Sequence, residues 1–114
     1  MIGNSMNKNS NYIVVQTTTD SINVARKLVN ILLADGLIAC GQISEIESYY
    51  CWKNKVHNTK EYRVIMKTKK GLYSDIENSI KCNHDYDVPS ISAYDLNEIF
   101  EPYGNWIDEN TLVV

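Results

Sequence analysis

The feature that most constrains the fold is the way apolar residues change their spacing along the chain. Residues 12–19 are β-branched or aromatic almost throughout and predict a strand. Ile13, Val15 and Thr17 then share one face, and Tyr12, Val14 and Gln16 the other. Immediately afterwards the spacing becomes helical. Ile22, Ala25, Leu28, Val29, Leu32 and Leu33 recur over residues 21–35, with Asp20 suited to the N-cap and Gly36 to the position after the last turn. Residues 37–47, opening with Leu37-Ile38-Ala39-Cys40, predict a second strand. Residues 49–53 and 60–69 predict a further strand pair, with Asn54 and the polar stretch 56–59 at the turn. Leu72, Ile76 and Ile80 mark a second helix that ends near Asn83, and Pro89 prevents its continuation. Residues 90–96 predict a last strand. Tyr103, Trp106 and Ile107 predict a short terminal helix over residues 101–110.

This order is β-α-β-β-α-β, with an extra short strand and a C-terminal helix. It predicts an α+β fold of the ferredoxin-like kind, an antiparallel sheet with both crossover helices on one face. The first and third long strands should be central neighbours. The opposite face would then show Tyr12, Val14 and Gln16 beside Glu61, Arg63, Ile65 and Lys67. A face of that mixture is expected to be covered by other copies of the chain. Closed symmetry would also protect the sheet edges. Residues 1–11 read as a disordered polar arm and residues 12–114 as a single domain.

Composition removes several classes of function. The 114 residues carry a net charge of −3, against a nucleic-acid partner, which would need a basic stripe. Lys67, Lys69 and Lys70 read as a solvated strand tip. The 3 cysteines, Cys40, Cys51 and Cys82, form no CxxC pair, against a disulfide framework or a zinc ribbon. No apolar run approaches the roughly 20 residues that span a bilayer. The first ten residues lack the apolar core of a signal peptide, and the expected location is cytoplasmic. Glycine-rich phosphate loops, Gly-x-Ser-x-Gly and His-Glu-x-x-His are absent from the sequence. The loop Thr17-Thr18-Thr19-Asp20 has no arginine with which an acylphosphatase-like site could be built. A non-enzymatic protein is expected.

Several signatures in a fixed order carry a resemblance. Leu37-Ile38-Ala39-Cys40 follows the first helix. Tyr50 and Trp52 precede a turn, Glu61 and Met66-Lys67-Thr68. His84, Tyr86 and Pro89 follow the second helix, and Tyr103 with Trp106-Ile107 closes the series. In these the chain resembles the CutA family, the divalent-ion-tolerance proteins, from Tyr12 to about Glu109. The resemblance implies a ferredoxin-like homotrimer with strands pairing across subunits, and binding of copper and other divalent metals. The chain departs from the family pattern at Gln16 (commonly cysteine), Asp85 (usually proline) and Ser90 (usually glutamate), losing a thiol and a carboxylate.

His84 is the best candidate metal ligand, since imidazole suits copper, zinc and nickel and Asp85 or Asp87 could orient its ring. Equally, a histidine at a helix C-terminus can be a cap. Glu61 matches the family's strand carboxylate; otherwise it would pair with Lys67, Arg63 or another subunit. Two ligands fall short of the three or four that zinc takes from protein, so binding of Cu²⁺ or another divalent ion is expected to be weak. Lys67, Tyr50, Trp52, Tyr86 and Trp106 could line a pocket at a subunit junction, or simply be interface core. The alternative function is a signalling or scaffold trimer in the manner of the PII proteins, holding a small anion or a protein partner in subunit clefts around Lys67 and Trp52.

Overall fold

The structure, a computed structural model, describes residues 11–114. The expected N-terminal arm lies almost wholly outside the described residues. Among the described residues, four strands and three α-helices follow one another: β1 (Tyr12–Thr19), α1 (Ile22–Ala34), β2 (Cys40–Trp52), β3 (Lys55–Lys69), α2 (Tyr73–Asn83), β4 (Ile91–Asp95) and α3 (Glu101–Glu109). A single 3-10 turn, Lys70–Leu72, leads into α2. The sheet is antiparallel in the order β2-β3-β1-β4, so β1 and β3 are the central pair expected from the sequence.

The α1–α2 layer forms as the spacing dictates. Ala25, Leu28 and Leu32 of α1 and Ile76 and Ile80 of α2 are completely buried against Ile13, Val15, Val64 and Met66 of the sheet. Leu33, expected in the stripe, is exposed. The N-cap of α1 is Ser21 rather than Asp20: its hydroxyl accepts the Val24 N–H at 3.2 Å. Gly36 ends the helix at φ +71°, the left-handed conformation that glycine adopts without steric cost.

Two features depart from the expected layout. The segment 49–53 is not a separate strand but the far half of β2, and residues 56–59 belong to β3 rather than to the turn. Lys53 and Asn54 alone make the connection, at φ 52° and 63°. Two successive left-handed residues form the tight hairpin turn whose twist matches the strands. Asn tolerates this conformation, whereas Lys is held there at a cost of about 1 kcal/mol or more. β1 pairs with β3 only from Tyr62 to Lys69, so residues 46–52 and 55–61 run on as a two-stranded ribbon beyond the sheet. The ribbon stretches the molecule to 50 × 31 × 21 Å.

The second departure concerns the sheet's other face. All helices were expected on one side, but α3 lies on the opposite side from α1 and α2. Gly104 sits so close to Tyr12 that an added Cβ would be 3.1 Å from the phenol ring. Ile107 is completely buried, and the Tyr12 hydroxyl donates to Asp108 at 2.9 Å. Val14, which alternation puts on this face, is only 2% exposed. The second face is therefore covered at the Tyr12 end by the chain's own terminal helix, while its other end, towards Arg63 and the ribbon, stays open.

Candidate functional site

The open end is organised by the loop between α2 and β4, residues 84–90. Three hydrogen bonds fasten it to the last residues of β1. His84 Nε2 lies 2.8 Å from the Thr18 carbonyl, the Thr19 hydroxyl donates to Asp85 Oδ1 at 3.1 Å, and the Thr18 and Ser90 hydroxyls are 3.0 Å apart. Two of the positions that depart from the family pattern, Asp85 and Ser90, thus serve as clamps between loop and strand.

The His84 side chain is fully buried. Its Nδ1 accepts the Tyr86 backbone N–H at 3.0 Å, which leaves Nε2 to carry the proton donated to Thr18. Asp85 Oδ1 is also 3.2 Å from Nδ1, but with Nδ1 an acceptor that approach is no ion pair. Both ring nitrogens are therefore engaged. The His84 and Tyr86 rings tilt against each other with centroids 4.8 Å apart, and the Tyr86 hydroxyl donates to Glu61 Oε2 at 2.7 Å. Burial pushes the Tyr86 phenol well above its ordinary range. The Glu61 hydrogen bond and charge add to this, as do the charges of Asp20 and Asp85. Tyr86 consequently remains a proton donor to Glu61 throughout the neutral range.

Around this core lies a cleft of about 830 Å³ between the ribbon and the loop. Tyr49, Tyr50, Trp52, Tyr86 and Val88 supply its apolar walls, and Glu47, Glu61 and Asp87 supply carboxylates. Tyr50 is held by stacking on His57, at 5.5 Å between centroids.

The structure brings together five of the seven residues singled out from the sequence: His84, Glu61, Tyr86, Tyr50 and Trp52. Lys67 and Trp106 are elsewhere. Lys67 Nζ lies 5.9 Å over the Tyr103 ring and donates to Gln42, and Trp106 stacks on Tyr103 at 5.8 Å. Both are placed by α3 at the other end of the sheet face. Within one chain they share no pocket with Trp52; the pocket expected from the sequence was one at a subunit junction. Asp87 was noticed as a partner for His84 or a further metal ligand, and nothing in the sequence distinguished Glu47. A carboxylate reaches the cleft only once ribbon length and loop path are known.

The described residues of one chain do not by themselves make a metal centre. Among the described residues, no group of three or more His, Cys, Asp or Glu side chains could hold an ion. Glu61 is the only candidate ligand without its donor atoms fully engaged. The Tyr86 hydroxyl accounts for Oε2, and Oε1 accepts from no group among the described residues.

The architecture and the loop motif agree with comparisons to known proteins. Residues 13–110 match the model of the family described as CutA1 divalent ion tolerance protein. The divalent-cation tolerance protein CutA of Pyrococcus horikoshii is 37% identical over 99 residues, covering 87% of this chain and 97% of that protein. A chloroplastic CutA protein of Arabidopsis thaliana is 33% identical over 100 residues, which is 87% of this chain but 55% of that protein. The crystal structure of the divalent ion tolerance protein CutA1 from Ehrlichia chaffeensis superposes with a TM-score of 0.86. It is 34% identical and covers 91% of this chain and 98% of its own. With the fold, the length matched and the ordered motifs in agreement, this chain belongs to the CutA1 divalent ion tolerance family.

Proposed function

We propose that the protein works as a non-enzymatic homotrimer in divalent-cation tolerance, taking up copper-like ions weakly. The observation that carries the trimer is the half-covered second sheet face with its bare ribbon. α3 covers only the Tyr12 end, and on the ribbon Tyr49 is 65% exposed, Trp52 61% and Val56 74%. Large apolar groups clustered on a two-stranded projection need a partner surface, because such a ribbon is barely stable alone in water. The relatives' description as divalent-cation tolerance proteins supports the cellular role.

Weak metal uptake follows from the donor set. Glu61 is the contact available at once. His84 becomes a ligand only by giving up its bond to Thr18 or to the Tyr86 N–H. A cytoplasmic location is part of the proposal. The Arabidopsis relative is named as chloroplastic.

Light scattering tests the assembly: the expected mass is three times the 13.0 kDa of the chain, and a stable single-chain species refutes it. Titration calorimetry of wild type, Glu61→Gln and His84→Ala with Cu²⁺ and Zn²⁺ tests the metal role. Weak binding that falls in both variants is expected, and equal affinities remove both residues from it.

A PII-like anion site gains no support from the cleft. Its lining has three carboxylates and no lysine, arginine or histidine.

A further inference from the structure

By its own sequence α3 is a poor helix. It has 9 residues, fewer than the roughly 12–15 that an isolated helix needs in water. Gly104 interrupts it, and its N-cap Phe100 makes no side-chain hydrogen bond. Its last turn carries Asp108 and Glu109 with no basic residue, which opposes the helix dipole. Only Gly104 and Ile107 are buried. α1, by contrast, has 13 residues, the Ser21 cap and a buried row of Ala25, Leu28 and Leu32. The helical state of α3 therefore depends on docking: Gly104 against the Tyr12 ring, Ile107 into the interior, and Asp108 on the Tyr12 hydroxyl.

The residues after the helix supply the remaining hold. Residues 111–114 run as a strap across the end of the sheet, from α3 on the second face to the connections beside α1 and α2. The Leu112 N–H donates to the Gly36 carbonyl at 2.9 Å, and Lys69 Nζ donates to the Leu112 carbonyl at 2.8 Å. The Leu112 side chain rests on Gly36, where an added Cβ would lie 3.1 Å from it. Val114 rests on Gly71, where an added Cβ would lie 3.0 Å away. Two connections thus present a glycine where an apolar side chain of the strap sits. The seats are shallow, since Leu112 is 50% exposed and Val114 69%. Parts with little burial and marginal local structure open ahead of the rest of a molecule.

We propose that α3 and the strap form a lid over the Tyr12 end of the second sheet face. Helix and strap open as one unit, the helix unwinding as it leaves, and uncover Tyr12 and Val14 while the α1–α2 core stays folded. Under the trimer reading the lid decides how much of that face a neighbouring copy can reach, but the opening itself does not depend on the trimer.

Residue-resolved amide hydrogen exchange of the full chain at neutral pH tests the lid. The Leu112 amide, bonded to Gly36, reports the strap, and the amides of residues 105–110 report the helix. The expected result is one shared protection factor for both, lower than in the buried turns of α1 and α2. Leu112→Asp removes the seat on Gly36. It should lower the protection of α3 by about tenfold or more, the consequence of losing a half-buried leucine contact, and leave α1 and α2 unchanged. Val113→Asp, at a position 94% exposed, adds the same charge beside the seat and should leave α3 as in the parent. The proposal fails if α3 is protected as strongly as α1 and α2, or if strap and helix differ in protection. It fails equally if Leu112→Asp leaves α3 unchanged or loosens all three helices alike, or if Val113→Asp has the same effect. Light scattering reads the assembly separately, so lid and trimer can fall independently.

Discussion

The two ends of the sheet face different worlds. Where α1 and α2 lie on β1 and β3, Leu28, Leu32, Val15, Val64, Met66, Ile76 and Ile80 are all completely buried. On the ribbon, the same two-stranded pairing of β2 and β3 continues without a covering layer, and its aromatic groups stand in solvent. The hydrogen-bond ladder is uninterrupted from one region to the other, so backbone pairing does not distinguish them. What differs is the second layer. In the first region the stability is supplied by apolar burial within the chain. In the second, the chain builds a surface and leaves its completion to whatever binds there.

The sharpest way to break this comparison is to remove one side chain from each region. Leu28→Ala leaves a cavity between α1 and the sheet and should lower unfolding free energy by about 2–5 kcal/mol. Val56→Ala, on the open ribbon, should change it by no more than about 0.5 kcal/mol in the isolated chain. Denaturant melts at low protein concentration measure both. A large cost for Val56→Ala that grows with concentration would show the ribbon buried by another copy.

Tyr86→Phe probes the border between the regions. It removes the 2.7 Å bond to Glu61 and should cost about 1–3 kcal/mol. The pH dependence gives a second readout. The folded Tyr86 phenol titrates above its unfolded value, so the folded state keeps a proton that the unfolded chain gives up as pH rises past about 10. That contribution to stability is complete below pH of about 10 and is lost as pH climbs towards the folded value. The alkaline fall in urea midpoint should therefore be shallower in Tyr86→Phe than in wild type. An unchanged slope would mean that Tyr86 is not held as the structure has it.

The smallest effect should be a gain. Thr17 is 1% exposed on the core face, and its hydroxyl has no hydrogen-bond partner among the described residues. Thr17→Val keeps the shape, removes the buried hydroxyl and should stabilise by about 1 kcal/mol, read as a raised thermal midpoint. A loss instead would show that the hydroxyl is satisfied in solution.

Much of the site was legible in advance because its members lie close to element boundaries. His84 follows directly on α2, and Tyr86 lies two residues further along, so the loop path brings them together. Glu61 was placed on the correct face by strand alternation. Lys67 lies on that same face by the same alternation, yet it belongs to another neighbourhood, six residues along a rising strand and beneath α3. Alternation assigns a face, not a distance along it. Trp106 lies on a helix for which local spacing indicated no docking site.

Local chemistry alone determined the order of elements and the apolar stripe that α1 and α2 bury. Those depend on period and on capping, which act over a few residues. Only the tertiary structure decided that α3 covers the Tyr12 end of the second face, that the hairpin turn is just Lys53-Asn54, and that three carboxylates meet in one cleft. Each of these depends on contacts between residues far apart in the chain, such as Gly104 on Tyr12, whose energies no local window contains.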